Sequence, residues 1–389
     1  MLPTLMGKTD PQRYNAYLEE KTAHIVNLLR ERGIEHPAPV IHAVPAEHYR
    51  MRAEFSLYYT RENGHNSFDY VMYEKRDGNR QRITLSDFPP GHAPMSELMR
   101  PLKERIIRSE ILFWKVFQID FLTNREDECV ITLHYHKKLD EERLKEELDT
   151  LRDSLCGLGF KVTGLVAHAR KQVVISGSDR VLARFNLAHG RSTVMEEVEG
   201  TFSQPNAYAC EAMLNFACKC AGDNPDDDLL ELYCGSGTFT VALAPHFRKV
   251  LATEVSRLPT ATCQRNLTMN GIENTSLVRL SAVDVSEALN HVRPFKRLYL
   301  NRIDLDEYNF RTLFIDPPRE GLRYEEALRF TASFDRIIYI SCGMDSLVSD
   351  LAYLTKTHRI EALSLFDQFP YTPHLESGVL LTRRDLEIA

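Results

Sequence analysis

After the segment FSQPN at 202–206 the chain changes grammar, and short apolar runs (LLELYC, KVLATEV, LVRL, TLFIDPP, RIIYISC) alternate with helical stretches. Apolar runs separated by helices build a parallel sheet covered on both faces, which predicts a doubly wound, Rossmann-like α/β domain. Two further runs, EALSLFDQF and GVLLTRR, are joined by PYTPHLES. That connection is too short for a crossover helix, so the pair is expected to form an antiparallel terminal hairpin.

Ahead of the switch the pattern differs. PQRYNAYLEEKTAHIVNLLRERG reads as a helix closing at Gly33, with Arg30 and Arg32 in its last turn. From Tyr49 to Ile175 most runs alternate, as in RAEFSLYY, SFDYVMYE, FQIDFLT and CVITLHYH, and are broken by turn clusters such as RENGHN and KRDGN. Helical stretches, HAPMSELMRPLKERIIRS and LDEERLKEELDTLRDSLCG, sit between them. The reading is two domains, an α+β unit over 1–200 and the doubly wound unit over 201–389. At 389 residues and 43% hydrophobic composition the chain can bury two cores.

Charge divides along the same line. Net charge is −7, yet residues 1–190 carry 28 Lys and Arg against 27 Asp and Glu, and residues 191–389 carry 20 against 28. The first half also holds local basic clusters: Arg50 and Arg52; Lys75, Arg76, Arg80 and Arg82; Lys137 and Lys138. These are either solvated surface or a footprint for a polyanion. Eight scattered cysteines without a C-x-x-C pair give neither a zinc site nor a disulfide framework, so no metal is expected. No signal-like or membrane-spanning apolar run appears, and a cytoplasmic protein is expected.

LLELYCGSGTFTVAL places Gly235 and Gly237 between a buried strand and a helix, where backbone approaches a ligand closely. Nineteen residues past Gly235, at the end of the next strand, stands Glu254, the position of the acid that holds ribose hydroxyls in nucleotide-binding domains. A third glycine for a pyrophosphate is missing, since Thr240 occupies its place and Thr238 opens the helix. The pattern therefore suits S-adenosylmethionine, which has no phosphate. Asp284, in SAVDV, is a further expectation for the adenine edge.

Four motifs then fall at ends of elements: FSQPN with Gln204, FIDPPREG with Asp316, YISCG with Cys342 and YTPHLESGV with Glu376. Asp316 precedes two prolines that fix its backbone and suits the polar edges of a substrate. Cys342 caps a buried strand and precedes Gly343, which leaves its sulfur open to the cleft. Buried cysteine is usually a small hydrophobe, as expected for Cys156 or Cys218. At the mouth of a cofactor cleft a thiol can instead add to carbon 6 of a uracil and make carbon 5 nucleophilic. Such an adduct needs a base to remove the carbon 5 proton, and Glu376 is the candidate.

At these residues the sequence resembles the bacterial tRNA (uracil-5-)-methyltransferases of the RNA 5-methyluridine methyltransferase family. The blocks HYRMRAEF, LFWKVFQIDFL, LHYHKKLD, FSQPNA, DLLELYCGSGTF, FIDPPREGL, YISCG and LFDQFPYTPHLESGVLL carry the likeness over nearly the whole chain. The resemblance implies cofactor contacts from Gln204, Tyr233, Thr238, Glu254 and Asp316, a nucleophile at Cys342 and a proton acceptor at Glu376. It implies uridine 54 in the T-arm of tRNA as substrate, with the tRNA-like arm of tmRNA also accepted, and makes 1–200 the RNA-recognition domain. Gly343-Met344 after the cysteine, and GSGTF where GNGNF is common, depart from the usual pattern. Relatives acting on ribosomal RNA carry a four-cysteine iron–sulfur site, whereas here no cysteine precedes Cys129, which favours the tRNA branch.

Rival readings meet specific residues. RNA cytosine-5 methyltransferases carry a second cysteine after the proline of the acidic motif, and here the motif continues DPPRE. Amino-group methyltransferases resemble D/N-P-P-aromatic, and Arg319 is not aromatic. A non-catalytic tRNA-binding protein is the third. For the RNA, Phe117 is the expected stacking platform, with His136, Arg50 and Arg52 contacting the opened loop. Strand alternation equally permits Phe117 to be core.

Overall fold

The computed structural model describes residues 4–62, 64–76 and 79–384. The apolar runs of the second half are the strands Asn224–Leu232, Phe247–Thr253, Thr275–Val278, Phe310–Ile315 and Arg336–Ser341, parallel wherever they pair. Across the sheet, Asn224–Leu232 lies between Phe310–Ile315 and Phe247–Thr253, so successive crossovers leave it in opposite directions. A cleft opens at such a switch point, outside the carboxyl ends of the strands.

The terminal hairpin forms as expected, with His358–Phe366 antiparallel to Glu376–Arg383. Glu376–Arg383 inserts between His358–Phe366 and Arg336–Ser341, antiparallel to both. Its first residue therefore lies at the carboxyl edge of the parallel strands. That placement puts Glu376 at the cleft.

The N-terminus departs from the 1–200 division. Helix Tyr14–Glu31 buries Tyr17, Leu18, Ile25 and Leu29 in the same core as Leu351, Leu363 and Tyr371. Strand Val40–His42 extends the eight-stranded sheet by pairing parallel with Ser364–Phe366. By packing, residues 4–42 belong with the second domain. The residue order gives the helix, but not which core receives its apolar side.

The seven-stranded sheet of the first half holds, in spatial order, Asn79–Leu85, His65–Arg76, Arg52–Glu62, Val116–Thr123, Glu128–Tyr135, Lys161–Ala169 and Gln172–Gly177. Helices Ala93–Ile106 and Glu141–Cys156 cover one face, burying Leu98, Met99, Leu102, Leu148 and Leu155 against Phe55, Ile119, Phe121 and Ile131. On the other face Val181, from the hairpin Arg180–Asn186 with Ser192–Val198, meets Leu122, Val130 and Val166. The segment around Arg50 joins the two units: Arg50 bridges both Gly91 and Asn206, and the Met51 N–H donates to the Pro205 carbonyl at 2.7 Å.

Candidate active site

In the antiparallel pair at the cleft, Ser341 stands opposite Ser377 and Ile340 opposite Gly378. Continued by one residue, this register sets Cys342 opposite Glu376. Cys342 is half-buried, whereas Glu376 is only 5% exposed. Helix Met344–Leu354 begins two residues past the thiol, and the positive end of its dipole favours a thiolate there.

The resting electrostatics are set by carboxylates. Burial first, then Asp316, pushes the Glu376 carboxyl up to about 8, with Arg319 opposing. Burial likewise lifts Asp316 to about 7. The Cys342 thiol is pushed up to about 11 by burial, with Glu376 and Asp316 adding and Arg319 opposing. Arg319 also donates to the His374 ring. From the DPPRE turn it opposes the rise at both Cys342 and Glu376, and in the sequence it served only to reject an aromatic motif.

A cavity of about 720 Å³ opens onto this pair and brings together Arg50, Arg52, Gln204, Arg319, Cys342 and Glu376. Phe202, 71% exposed, and His374 also line it, and neither was singled out in the sequence. Arg50 donates through Nε to the Arg52 carbonyl at 2.7 Å, and Arg52 donates to the Thr201 carbonyl. Arg52 thereby reaches across the junction of the two units, while Arg50 is held along its own segment.

Two strands along the sheet from Cys342, beyond the strand of Asp316, is the glycine turn. Tyr233 adopts φ +61°, a left-handed conformation that glycine takes without cost and a tyrosine does not. Gly235, at φ +54°, has open space where a Cβ would stand, and a Cβ on Gly237 would lie 2.6 Å from Cys263 Sγ. The Glu254 carboxylate accepts from the N–H groups of Gly235 (3.2 Å) and Ser256 (2.7 Å), tying the turn to the neighbouring strand end. Thr238 opens the following helix. Buried at this turn are the Ser236 hydroxyl, which has no partner among the described residues, and the Glu231 carboxyl beside the Thr240 hydroxyl. Burial pushes Glu231 up to about 8, with the Asp316 charge adding. The Gln204 amide oxygen accepts from Gln368, which joins FSQPN to the loop before Glu376.

The expectation for Asp284 is corrected, and the core alternative for Phe117 falls away. Asp284 is not free for an adenine edge, because it caps its own helix through Ser281 and pairs with Arg293 at 2.9 Å. Phe117 is not core. A bulge between Val116 and Gln118 breaks the alternation that would point it inward with Ile119 and Phe121, and a bulge re-aims a side chain in this way. Its ring stacks on His136 with centroids 3.7 Å apart and planes 6° apart. The pair lies outside the cavity of Cys342. The side chains of Lys75 and Arg76 lie outside the described residues. Asp120, His134 and Glu199 place potential ligand atoms within 4.8 Å of one another, and there His134 bonds Asp120 at 2.7 Å while His168 bonds Glu199 at 3.0 Å.

A doubly wound sheet with a glycine turn and an acidic strand end, and with a thiol facing a buried carboxylate, defines a Rossmann-like methyltransferase fold. The chain belongs to the tRNA (Uracil-5-)-methyltransferase family, whose model matches residues 13–384. It is 44% identical over 379 residues to the tRNA/tmRNA (uracil-C(5))-methyltransferase of Stutzerimonas stutzeri, covering 97% of this chain and 99% of that one. The enzyme of the same description from Photobacterium profundum is 39% identical over 371 residues, covering 95% and 97%. In fold the chain is similar to the Pyrococcus abyssi tRNA (uracil-54, C5)-methyltransferase, solved with S-adenosyl-L-homocysteine, at a TM-score of 0.67 and 17% identity over 95% of this chain and 83% of that one.

Proposed function

We propose that the protein methylates carbon 5 of uridine 54 in the T-loop of tRNA, with S-adenosylmethionine as methyl donor, and that it also accepts the tRNA-like arm of tmRNA. The observation that carries this reading is the register that sets Cys342 opposite the buried Glu376 at the edge of a nucleoside-cofactor cleft. The relatives described as acting on tRNA and tmRNA support the choice of RNA.

The cleft fits the donor. Gly235 leaves space for a ligand, Glu254 stands where ribose hydroxyls are held, and the buried Ser236 hydroxyl has no partner among the described residues. Gln204, Tyr233, Thr238, Glu254 and Asp316 would hold it. S-adenosylmethionine, when bound, supplies an electrophilic methyl group on a sulfonium.

The chain's own groups do the rest. Cys342, as thiolate, adds to uracil carbon 6; the sulfur–carbon bond forms as the 5,6 double-bond electrons move toward carbon 5 and the carbonyl at carbon 4, which makes carbon 5 nucleophilic. Once carbon 5 carries the methyl group, Glu376 takes the carbon 5 proton, the double bond returns and the sulfur–carbon bond breaks. Burial makes the Glu376 carboxylate a stronger proton acceptor than an exposed one, and at about 8 its accepting, deprotonated form grows as pH rises through neutrality. Arg319 favours the thiolate against the two acids. The seven-stranded sheet, with Phe117 and His136, receives the opened T-loop, while Arg50 and Arg52 meet RNA at the junction.

All eight cysteines are free, and no helix among the described residues is long and apolar enough to cross a membrane. We place the reaction in the cytoplasm with its RNA. The test is transfer of tritiated methyl groups to unmodified tRNA and tmRNA transcripts followed by nucleoside analysis. The expected product is 5-methyluridine at position 54; label on cytidine or on an exocyclic amine, or no turnover, would overturn the reading.

A further inference from the structure

At the far end of the seven-stranded sheet lies a second open groove, about 940 Å³ in volume. Its lining is aromatic, with Tyr59, Phe113, Trp114 and the stacked Phe117–His136 pair. Trp114, the chain's single tryptophan, is 62% exposed. An indole left facing water on an aromatic wall marks a contact surface for something that covers it.

The indole does not sit on a loose loop. The Lys137 ammonium donates to the Ile111 carbonyl at 2.7 Å, the Tyr135 hydroxyl to Leu112 at 3.0 Å, and the Tyr59 hydroxyl to Phe113 at 3.1 Å and Val116 at 2.5 Å. The Trp114 backbone N–H donates to the Glu110 carbonyl at 3.0 Å. The carbonyls of Ile111, Leu112, Phe113 and Val116 are thus pinned, which fixes the backbone that carries the ring and lowers the ordering cost of binding. Lys115, Lys137, Lys138 and Arg143 line the groove against Glu110 and Asp140, a local cationic excess in a chain of net charge −7.

We propose that this groove is a second nucleotide subsite, holding an unpaired base stacked on Trp114 and its phosphate on the lysines, from the same RNA loop that presents the target uridine. The inference rests on the proposed function. The residues lining the groove and the Cys342 cavity do not overlap. Strand Arg52–Glu62 runs from one toward the other: Arg52 lines the catalytic cavity and Tyr59 the groove, about 23 Å apart at the rise of a strand. One flipped nucleotide cannot reach both. A loop opened to bare one uridine bares its neighbours too, and single-stranded bases stack on aromatic side chains beside cations. The groove offers that pairing of faces and charges, which an apolar protein partner would not need.

The test uses the full chain without cofactor, so that no turnover occurs. A T-arm hairpin transcript titrated into the protein should quench the fluorescence of Trp114, the only indole present. Trp114→Ala should weaken hairpin binding roughly 10- to 100-fold and Trp114→Phe much less, with melting temperatures unchanged because the ring is exposed. In a series of hairpins lacking one base each, a position other than the target uridine should reproduce the loss, and its effect should not add to that of Trp114→Ala. Methyl transfer that persists with no quenching, or a Trp114→Ala loss that adds to every missing base, would overturn the subsite and leave the proposed function standing. Equal quenching by a fully paired RNA of the same length would also overturn it. A parent protein that binds no hairpin would overturn both.

Discussion

The Lys21 ammonium, on the N-terminal helix, pairs with the Asp367 carboxylate 346 residues away, and both side chains are almost fully buried. Lys21 also donates to the carbonyls of Phe369 (3.1 Å) and His374 (3.2 Å). The loop between the two terminal strands, which leads to Glu376, is therefore held from above by the start of the chain. Tyr371 in that loop packs edge-on against Tyr14 and Tyr17, and its hydroxyl donates to the Ala46 carbonyl at 2.8 Å.

Removing one partner of a buried pair leaves the other charge unpaired, at a cost of roughly 3–5 kcal/mol. Lys21→Met is expected to lose stability of that order in urea unfolding. Lys21→Met with Asp367→Leu should recover much of it, since no isolated charge remains. Equal stability of parent and single variant would show that the pair is neutral to folding.

Glu376→Gln should still form the carbon–sulfur bond and accept the methyl group but release product slowly, because only elimination needs the base. Native tRNA is then expected to accumulate as a denaturant-resistant complex on a gel. Unchanged turnover would assign the proton to another group.

The thiol answers to its neighbours in a stated direction. Asp316 and Glu376 raise the Cys342 thiol and Arg319 lowers it. Alkylation of Cys342 by iodoacetamide at pH 8, followed by peptide mass spectrometry to separate it from exposed Cys156, should be faster in Asp316→Asn and slower in Arg319→Gln. Rates that move oppositely would contradict this electrostatic account.

Buried acids also make stability depend on pH. Glu231 and Glu376 are both held at about 8 in the fold, mainly by burial, above the ~4.3 of an unfolded glutamate. Between those values the folded chain retains protons that the unfolded chain has released. Their contribution is therefore full below about pH 4.3, declines as pH rises, and is lost by about pH 8. Melting temperatures from pH 5 to 8.5 should fall less steeply for Glu231→Gln than for the parent. Parallel curves would show that Glu231 does not titrate in this range.

Much of this was legible in residue order. The apolar runs after FSQPN gave the parallel strands, and the short link PYTPHLES gave the hairpin, because strand length, burial and loop length are local properties. Cys342, Glu376, Gln204, Glu254 and Asp316 were visible because each sits at the end of an element. What stayed hidden is non-local. The helix Tyr14–Glu31 shows its apolar stripe but not its destination, and Phe117 obeys the alternation of a core residue until the bulge at Val116 and Gln118 turns it out. Asp284 is an acid after a strand, as Glu254 is, but it starts a helix, and Ser281 three residues earlier completes a capping box. Arg319 sat in plain view beside Asp316, yet its effect on Cys342 and Glu376 arises only when the hairpin folds back.

The central claim is that the Cys342 sulfur bonds to uracil carbon 6 during turnover. A T-arm RNA with 5-fluorouridine at the target position has no carbon 5 proton to lose, so the adduct cannot eliminate. Incubated with protein and S-adenosylmethionine, denatured and digested, it should yield a nucleotide cross-linked to the peptide containing Cys342, carrying one methyl group, and Cys342→Ala should yield none. Methylation of native tRNA by Cys342→Ala, or a parent enzyme active on uridine that forms no adduct with 5-fluorouridine, would contradict the account.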